Sequence, residues 1–103
     1  MREVPLLNAP NQRVETTIDG VNYSIQLRTV QSFTTADIYA DGEILKAGSR
    51  CIPGKPLIPY PYLTRGGNFY FYCLNDDYPY YEYFGITQKL VYLTDEEIAG
   101  LNK

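Results

Sequence analysis

Residues 12–28 read QRVETTIDGVNYSIQLR, and their hydrophobic pattern decides the class of fold. From Gln12 to Asp19 apolar or β-branched residues alternate with polar ones, and the same two-residue period runs from Val21 to Arg28. This period is typical of β-strands with one buried face. The dipeptide Asp19-Gly20 between the two runs suits the positive φ angles of a tight turn. The segment is therefore predicted to be a β-hairpin.

The same hairpin signal repeats farther along the chain. Phe33 to Ala40 and Glu43 to Ala47 are separated by a second Asp-Gly pair, Asp41-Gly42. Further strands are predicted at Phe69 to Leu74, Tyr81 to Ile86 and Gln88 to Leu93. The first of these is apolar on both faces, so it is either central in its sheet or has one face against a partner. The sequence predicts an all-β fold, a small antiparallel β-sandwich or barrel of about six to eight strands.

The expected core is made of inward-facing residues from these strands. They are Val21, Tyr23, Ile25, Leu27, Ile38, Phe69, Phe71, Leu90 and Tyr92. All of residues 1–103 are expected to belong to one domain, since a chain of this length has room for a single core.

Three further segments complete the predicted architecture. Four prolines interrupt residues 52–63, and their fixed φ angles and missing amides exclude a helix or a central strand. Apolar residues between the prolines can pin the segment to the body, so an ordered loop is predicted. A turn is predicted at Asn75-Asp76-Asp77. Thr94 and Glu97 have the spacing of a capping box, which predicts one short helix over about residues 95–101.

Composition excludes many catalytic classes. The chain has no histidine, so Ser-His and Cys-His nucleophiles are unavailable, as is the commonest general base near neutral pH. We expect no enzyme activity, no metal and no cofactor. Cys51 and Cys73 lack the spacing of a metal site and are expected to be unbridged, buried thiols.

Charge and hydropathy also limit the possible partners. The chain carries 9 basic and 12 acidic residues, a net charge of −3. Nucleic acid is not expected as a specific ligand, because phosphate contacts need clustered lysine and arginine. A membrane is not expected either, since no apolar run approaches the roughly 20 residues of a spanning helix.

Tyrosine is concentrated in one part of the chain. Eight of the 11 tyrosines lie between residues 60 and 83. Tyrosine combines a large contact area with a polar tip and is enriched at interfaces, so about half of these side chains are predicted at a contact surface. The predicted protein interface comprises Lys55, Tyr60, Tyr62, Leu63, Arg65, Tyr78, Tyr80, Tyr81 and Tyr83. An alternative is a free-standing binding module for carbohydrate or protein, with Tyr80, Tyr81 and Tyr83 as its platform.

Five short motifs follow one another along the chain. They are Pro10-Asn11-Gln12, Asp19-Gly20 with residues 23–28, residues 57–63, residues 67–71 and residues 90–94. Together they resemble the cyanophage-type baseplate plug family of contractile-tailed phages. The resemblance covers roughly residues 4–97 and includes no catalytic residues. It implies a structural virion protein, made in the host cytoplasm and seated in the tail baseplate, that occludes or braces the central channel. It also implies contacts with hub, spike or tube proteins and a homo-oligomer in the assembled particle.

Overall fold

Two antiparallel sheets form the body of the protein, for which a computed structural model describes residues 2–31, 33–74 and 78–101. The strands are β1 (Arg2–Val4), β2 (Asn11–Ile18), β3 (Val21–Val30), β4 (Phe33–Ala40), β5 (Glu43–Arg50), β6 (Gly67–Cys73) and β7 (Gln88–Thr94). The first sheet has the strand order β2-β3-β4-β5 and the second has the order β1-β7-β6. The sheets are not closed into a barrel, so the β-sandwich prediction is confirmed. The turn predicted at Asn75-Asp76-Asp77 lies outside the described residues.

The two Asp-Gly pairs form the hairpin turns of the first sheet. Asp19 and Gly20 have φ angles of 52° and 81°, and Asp41 and Gly42 have 50° and 83°. Two successive positive φ angles are the requirement of a type I′ turn, which matches the twist of the flanking strands. The β2–β3 register runs from Ile18 opposite Val21 to Asn11 opposite Arg28, as the hairpin prediction requires.

The strand β6 lies at the edge of its sheet, so the first of the two predicted alternatives, a central strand, is wrong. The proline-rich segment runs along the edge of β6 that faces away from β7. There the Leu57 N–H donates to the Phe69 carbonyl at 2.9 Å. The inward face is buried, whereas Tyr72 and Leu74 on the other face are 59% and 65% exposed. The apolar pattern on both faces therefore reflects one core face and one open face.

The strand predicted over Tyr81 to Ile86 is also wrong. Tyr81–Tyr83 form a 3₁₀ turn, and Phe84 makes only an isolated bridge to Gln88. Gly85 follows with a φ angle of 78°, and the Ile86 N–H bonds back to the Tyr83 carbonyl at 3.1 Å. The backbone therefore turns locally instead of extending, although its aromatic residues favour a strand.

The C-terminal helix α1 (Asp95–Leu101) begins at the predicted capping box. The Thr94 N–H donates to the Glu97 carboxylate at 3.0 Å, and the Glu97 N–H donates to the Thr94 hydroxyl at 3.2 Å. These reciprocal bonds satisfy amides that the first helical turn leaves without partners. The short C-terminal helix is thus confirmed.

The core lies between the sheets and has an aromatic centre. The Tyr23 ring centroid lies 5.0 Å from that of Phe69, which in turn lies 5.1 Å from that of Tyr92. All nine residues expected to point inward belong to this core or pack against it, although Val21 is only half-buried.

The two cysteines are both buried. Burial, followed by the neighbouring Cys73 thiol, raises the pKa of Cys51 to about 12. Cys51 is therefore protonated near neutral pH and is a poor nucleophile for disulfide exchange. We expect mass spectrometry under nonreducing conditions to find both thiols unbridged. A quantitative disulfide between Cys51 and Cys73 would contradict this prediction.

Candidate functional site

A buried asparagine fixes the proline-rich segment to the sandwich. The Asn68 Nδ2 donates to the Ile58 carbonyl at 2.8 Å, and its Oδ1 accepts the Ile58 N–H at 3.1 Å. A carboxamide carries one donor group and one acceptor, so it can pair with a peptide unit as a neighbouring strand would. The Ser49 hydroxyl also donates to the Leu57 carbonyl at 2.7 Å. Leu57 and Ile58 are consequently buried, and the segment after them is held in a defined position.

A buried glutamine does the same for the second tyrosine-bearing segment. The Gln88 Oε1 accepts the Tyr80 N–H at 2.8 Å, and its Nε2 donates to the Tyr78 carbonyl at 2.9 Å. From the other side, the Asn8 Nδ2 donates to the Phe84 carbonyl at 2.8 Å. Residues 78–84 therefore form an ordered turn without belonging to a sheet.

The first exposed aromatic pair lies beside β5. The rings of Tyr60 and Tyr62 are stacked with centroids 5.8 Å apart, and they are 46% and 79% exposed. The Lys46 Nζ lies 5.7 Å from the Tyr60 ring centroid, within the range of a cation–π contact. Nearby, Arg65 forms an ion pair with Glu43 at 3.4 Å. The predicted residues Tyr60, Tyr62 and Arg65 are thus brought to the first half of β5.

The second exposed aromatic group lies at the end of the same strand. The Arg50 guanidinium lies 4.6 Å from the Phe33 ring centroid and 5.2 Å from that of Tyr78. This arrangement places a cation between two aromatic rings and positions Tyr78 against β5. We call the set Tyr60, Tyr62, Tyr78, Lys46 and Arg50 the tyrosine band.

The other predicted interface residues differ in exposure. Tyr80 and Tyr81 are half-buried, with ring centroids 4.8 Å apart and planes tilted by 43°, and Tyr83 is exposed. Tyr80 and Tyr81 do not present parallel exposed rings, so the geometry gives no support to a flat sugar-binding platform. Leu63 packs against the core, and Lys55 is exposed.

Sequence reasoning missed several residues of this surface. Lys46 and Arg50 belong to the band, yet nothing in their spacing shows which aromatic ring they contact. Tyr72 on the outer face of β6 and Leu74 directly after the strand are separate from the band and exposed. They lie on the face that the two-faced apolar pattern predicted as an alternative partner surface, although neither was among the predicted interface residues.

Burial, followed by the neighbouring Tyr81 and Glu82, raises the pKa of Tyr80, which is not part of the band, so its phenol is neutral near pH 7. Among residues 2–31, 33–74 and 78–101, no cluster of three metal-ligating side chains occurs. In the same ranges, no helix has the length and apolarity needed to cross a membrane.

Comparison with known protein families gives a match over most of the chain. Residues 1–96 match the model of a protein family described as "Cyanophage baseplate Pam3 plug gp18". No curated protein was found to match the chain. The family match covers both sheets and every residue of the tyrosine band.

Proposed function

The chain belongs to the cyanophage baseplate plug family, and from this premise we propose that it occludes or braces the central channel of a contractile tail. It is a structural baseplate protein of the virion tail, and its family implies interaction with other baseplate or tail proteins. The finer proposal is that the tyrosine band contacts hub, spike or tube proteins together with the other predicted interface residues, which are Lys55, Leu63, Arg65, Tyr80, Tyr81 and Tyr83. A homo-oligomer of the chain is proposed in the assembled particle.

The observation that carries this proposal is the combination of exposed tyrosines with rigid support. Association costs less when a loop is already ordered before binding. The carboxamides of Asn68 and Gln88 hold the two tyrosine-bearing segments in place, and four prolines restrict the first of them. Tyr60, Tyr62 and Tyr78 are therefore preorganised aromatic anchors, the kind of residue that dominates binding energy at interfaces.

Assembly with the other baseplate proteins tests the band. We expect the double variant Tyr60→Ala/Tyr62→Ala to bind the assembled hub at least about tenfold more weakly, with little dependence on salt. The double variant Lys55→Ala/Arg65→Ala should lose at most about fivefold, and that loss should shrink as salt is added. Arg65 already has an intramolecular partner in Glu43, which limits what a second protein can gain from it.

Tyr72→Ala is the matched control, since Tyr72 is a similarly exposed tyrosine outside the band. Thermal unfolding of each variant verifies that it is folded. If the folded Tyr60/Tyr62 double variant assembles with the hub as the unmodified chain does, the band is not the contact surface.

Channel occlusion needs a separate measurement. Tails assembled without the chain are expected to show an open central channel in averaged electron-microscopy images, and adding the chain should fill it. If the added chain instead binds at the periphery of the baseplate, the occlusion proposal is wrong even though the protein is a baseplate component.

A further inference from the structure

The strand β2 has an outer edge that pairs with no other strand in the described part of the chain. In a type I′ turn the carbonyl of the first residue accepts a hydrogen bond from the N–H of the fourth residue. Ile18 and Val21 are these two residues here, so the backbone groups of Ile18 point toward β3. Bonded and non-bonded pairs alternate along an antiparallel ladder. The N–H and C=O groups of every second residue of β2 therefore point away from β3. These residues are Asn11, Arg13, Glu15 and Thr17.

Two observed contacts agree with this alternation. The Arg2 Nη1 donates to the Thr17 carbonyl at 3.3 Å, which requires that carbonyl to point outward. Asn22 lies opposite Thr17, and its carbonyl accepts the Asp41 N–H at 2.8 Å on the side away from β2. An eight-residue edge with outward donors and acceptors is a template for pairing with another strand.

The charges along β2 are complementary to those of a second, antiparallel copy of the same strand. Arg13 and Glu15 have side chains that are 63% and 70% exposed and lie 3.3 Å apart on the outer face of the sheet. When two β2 strands pair antiparallel with Val14 facing Val14, each Arg13 faces Glu15 of the second copy. A shift of the twofold axis by one residue in either direction places arginine opposite arginine or glutamate opposite glutamate. Like charges directly opposite destabilise a strand pair, so these charges favour the register centred on Val14 over both neighbouring registers.

We propose that two copies of the chain pair edge to edge through β2, in the register that places Arg13 of one copy opposite Glu15 of the other. The pairing joins two four-stranded sheets into one and forms up to about eight backbone hydrogen bonds. At the end of the strand, the Asn11 N–H of the second copy takes the place of Arg2 at the Thr17 carbonyl. The contact is isologous, so it closes as a dimer. This inference deepens the proposed assembly of copies, and it uses the opposite edge of the first sheet from the tyrosine band.

Charge exchange tests the register. The single variants Arg13→Glu and Glu15→Arg each place like charges opposite each other twice per dimer. Sedimentation equilibrium should show dimerisation weakened by about tenfold or more for each single variant. The double variant Arg13→Glu/Glu15→Arg restores the opposite charges and should recover dimerisation to within about threefold. Because both side chains are exposed, all three variants should unfold at nearly the same temperature as the unmodified chain.

Amide exchange gives a readout that does not depend on any variant. The N–H groups of Arg13 and Glu15 should become protected as the protein concentration rises. The N–H of Val14 points toward β3 and should be protected at every concentration. An unmodified chain that remains monomeric at about millimolar concentration would overturn the proposal. Single variants that dimerise as well as or better than the unmodified chain would also overturn it, because the charges would then be irrelevant or would serve to keep edges apart.

These outcomes are separate from those of the hub experiment. A monomeric chain that still needs Tyr60 and Tyr62 for hub binding would contradict the β2 contact and leave the tyrosine band in place. A dimer that depends on Arg13 and Glu15, together with normal hub binding by the tyrosine variant, would support the β2 contact and contradict the tyrosine band as the hub contact.

Discussion

Replacing Phe71 with alanine is expected to lower the free energy of unfolding by about 3–5 kcal/mol. The Phe71 side chain is 1% exposed, and its ring stacks on Phe84 with centroids 5.6 Å apart. Truncation removes buried apolar area and leaves a cavity that the rigid sheet around it cannot fully close. A domain of this size has a stability of roughly 5–15 kcal/mol, so the change removes a large part of it.

Chemical denaturation with urea measures this loss, and Tyr72→Ala is the matched control. Tyr72 is the next residue on the same strand, but it points outward and should lose less than about 1 kcal/mol. Ile25→Ala, at a fully buried position of β3, should lose about 2–5 kcal/mol. Equal losses for Phe71→Ala and Tyr72→Ala would mean that the assignment of the two faces of β6 is wrong.

The first sheet could be predicted from the sequence because its signals are local. In residues 12–28 alternating hydrophobicity and the Asp-Gly pair agree on strand, turn and register. The same agreement at Asp41-Gly42 predicts the second hairpin. Where several local preferences favour the same structure, tertiary contacts rarely change the local structure that forms.

The second sheet was predicted less well because its order depends on distant contacts. The short strand β1 pairs with β7 at the other end of the chain, and nothing in three residues indicates a strand. Gly67 and Asn68 are typical of turns, yet both belong to β6. The turn over Tyr81–Tyr83 is stabilised by Asn8, which lies more than seventy residues away in the sequence.

From the sequence, the candidate site could be predicted only as a region rich in tyrosine. The excess of tyrosine between residues 60 and 83 indicates a contact surface, but sequence alone gives no exposure for any one ring. Half-buried Tyr81 and exposed Tyr83 are two residues apart in one turn. Lys46 and Arg50 both lie on β5, and each contacts a tyrosine from a different loop. Their place in the surface therefore depends on the fold, which their spacing in the sequence does not show.

Replacing Asn68 with alanine is expected to lower the free energy of unfolding by about 2–5 kcal/mol. The substitution leaves the N–H and C=O groups of Ile58 without their partner, and Ile58 is almost completely buried. A buried polar group without a hydrogen bond costs about 1–3 kcal/mol. Asn22→Ala is the matched control, because this exposed amide accepts one bond from the Thr17 hydroxyl and should lose less than about 1 kcal/mol.

The variant Asn68→Asp distinguishes the effect of losing the hydrogen-bond donor from the effect of losing side-chain volume. The shape of the side chain is preserved, but a carboxylate cannot donate to the Ile58 carbonyl. Burial disfavours the charged form, so the pKa of this carboxyl is higher in the folded than in the unfolded chain. The folded state then binds the proton more tightly, and the deficit should shrink as the pH falls through the folded pKa. Unfolding measured from neutral to acid pH, relative to the unmodified chain, should show this convergence.

The loss at Asn68 should extend to function because the same contact positions Tyr60 and Tyr62. In Asn68→Ala the Ile58 amide should exchange faster with solvent, while the Tyr70 amide, which points toward β7, should remain protected under conditions where the variant is folded. Binding to the hub should weaken at the same time, since the anchors must be ordered during association. If Asn68→Ala retains both its stability and the protection of the Ile58 amide, the carboxamide does not hold the proline-rich segment.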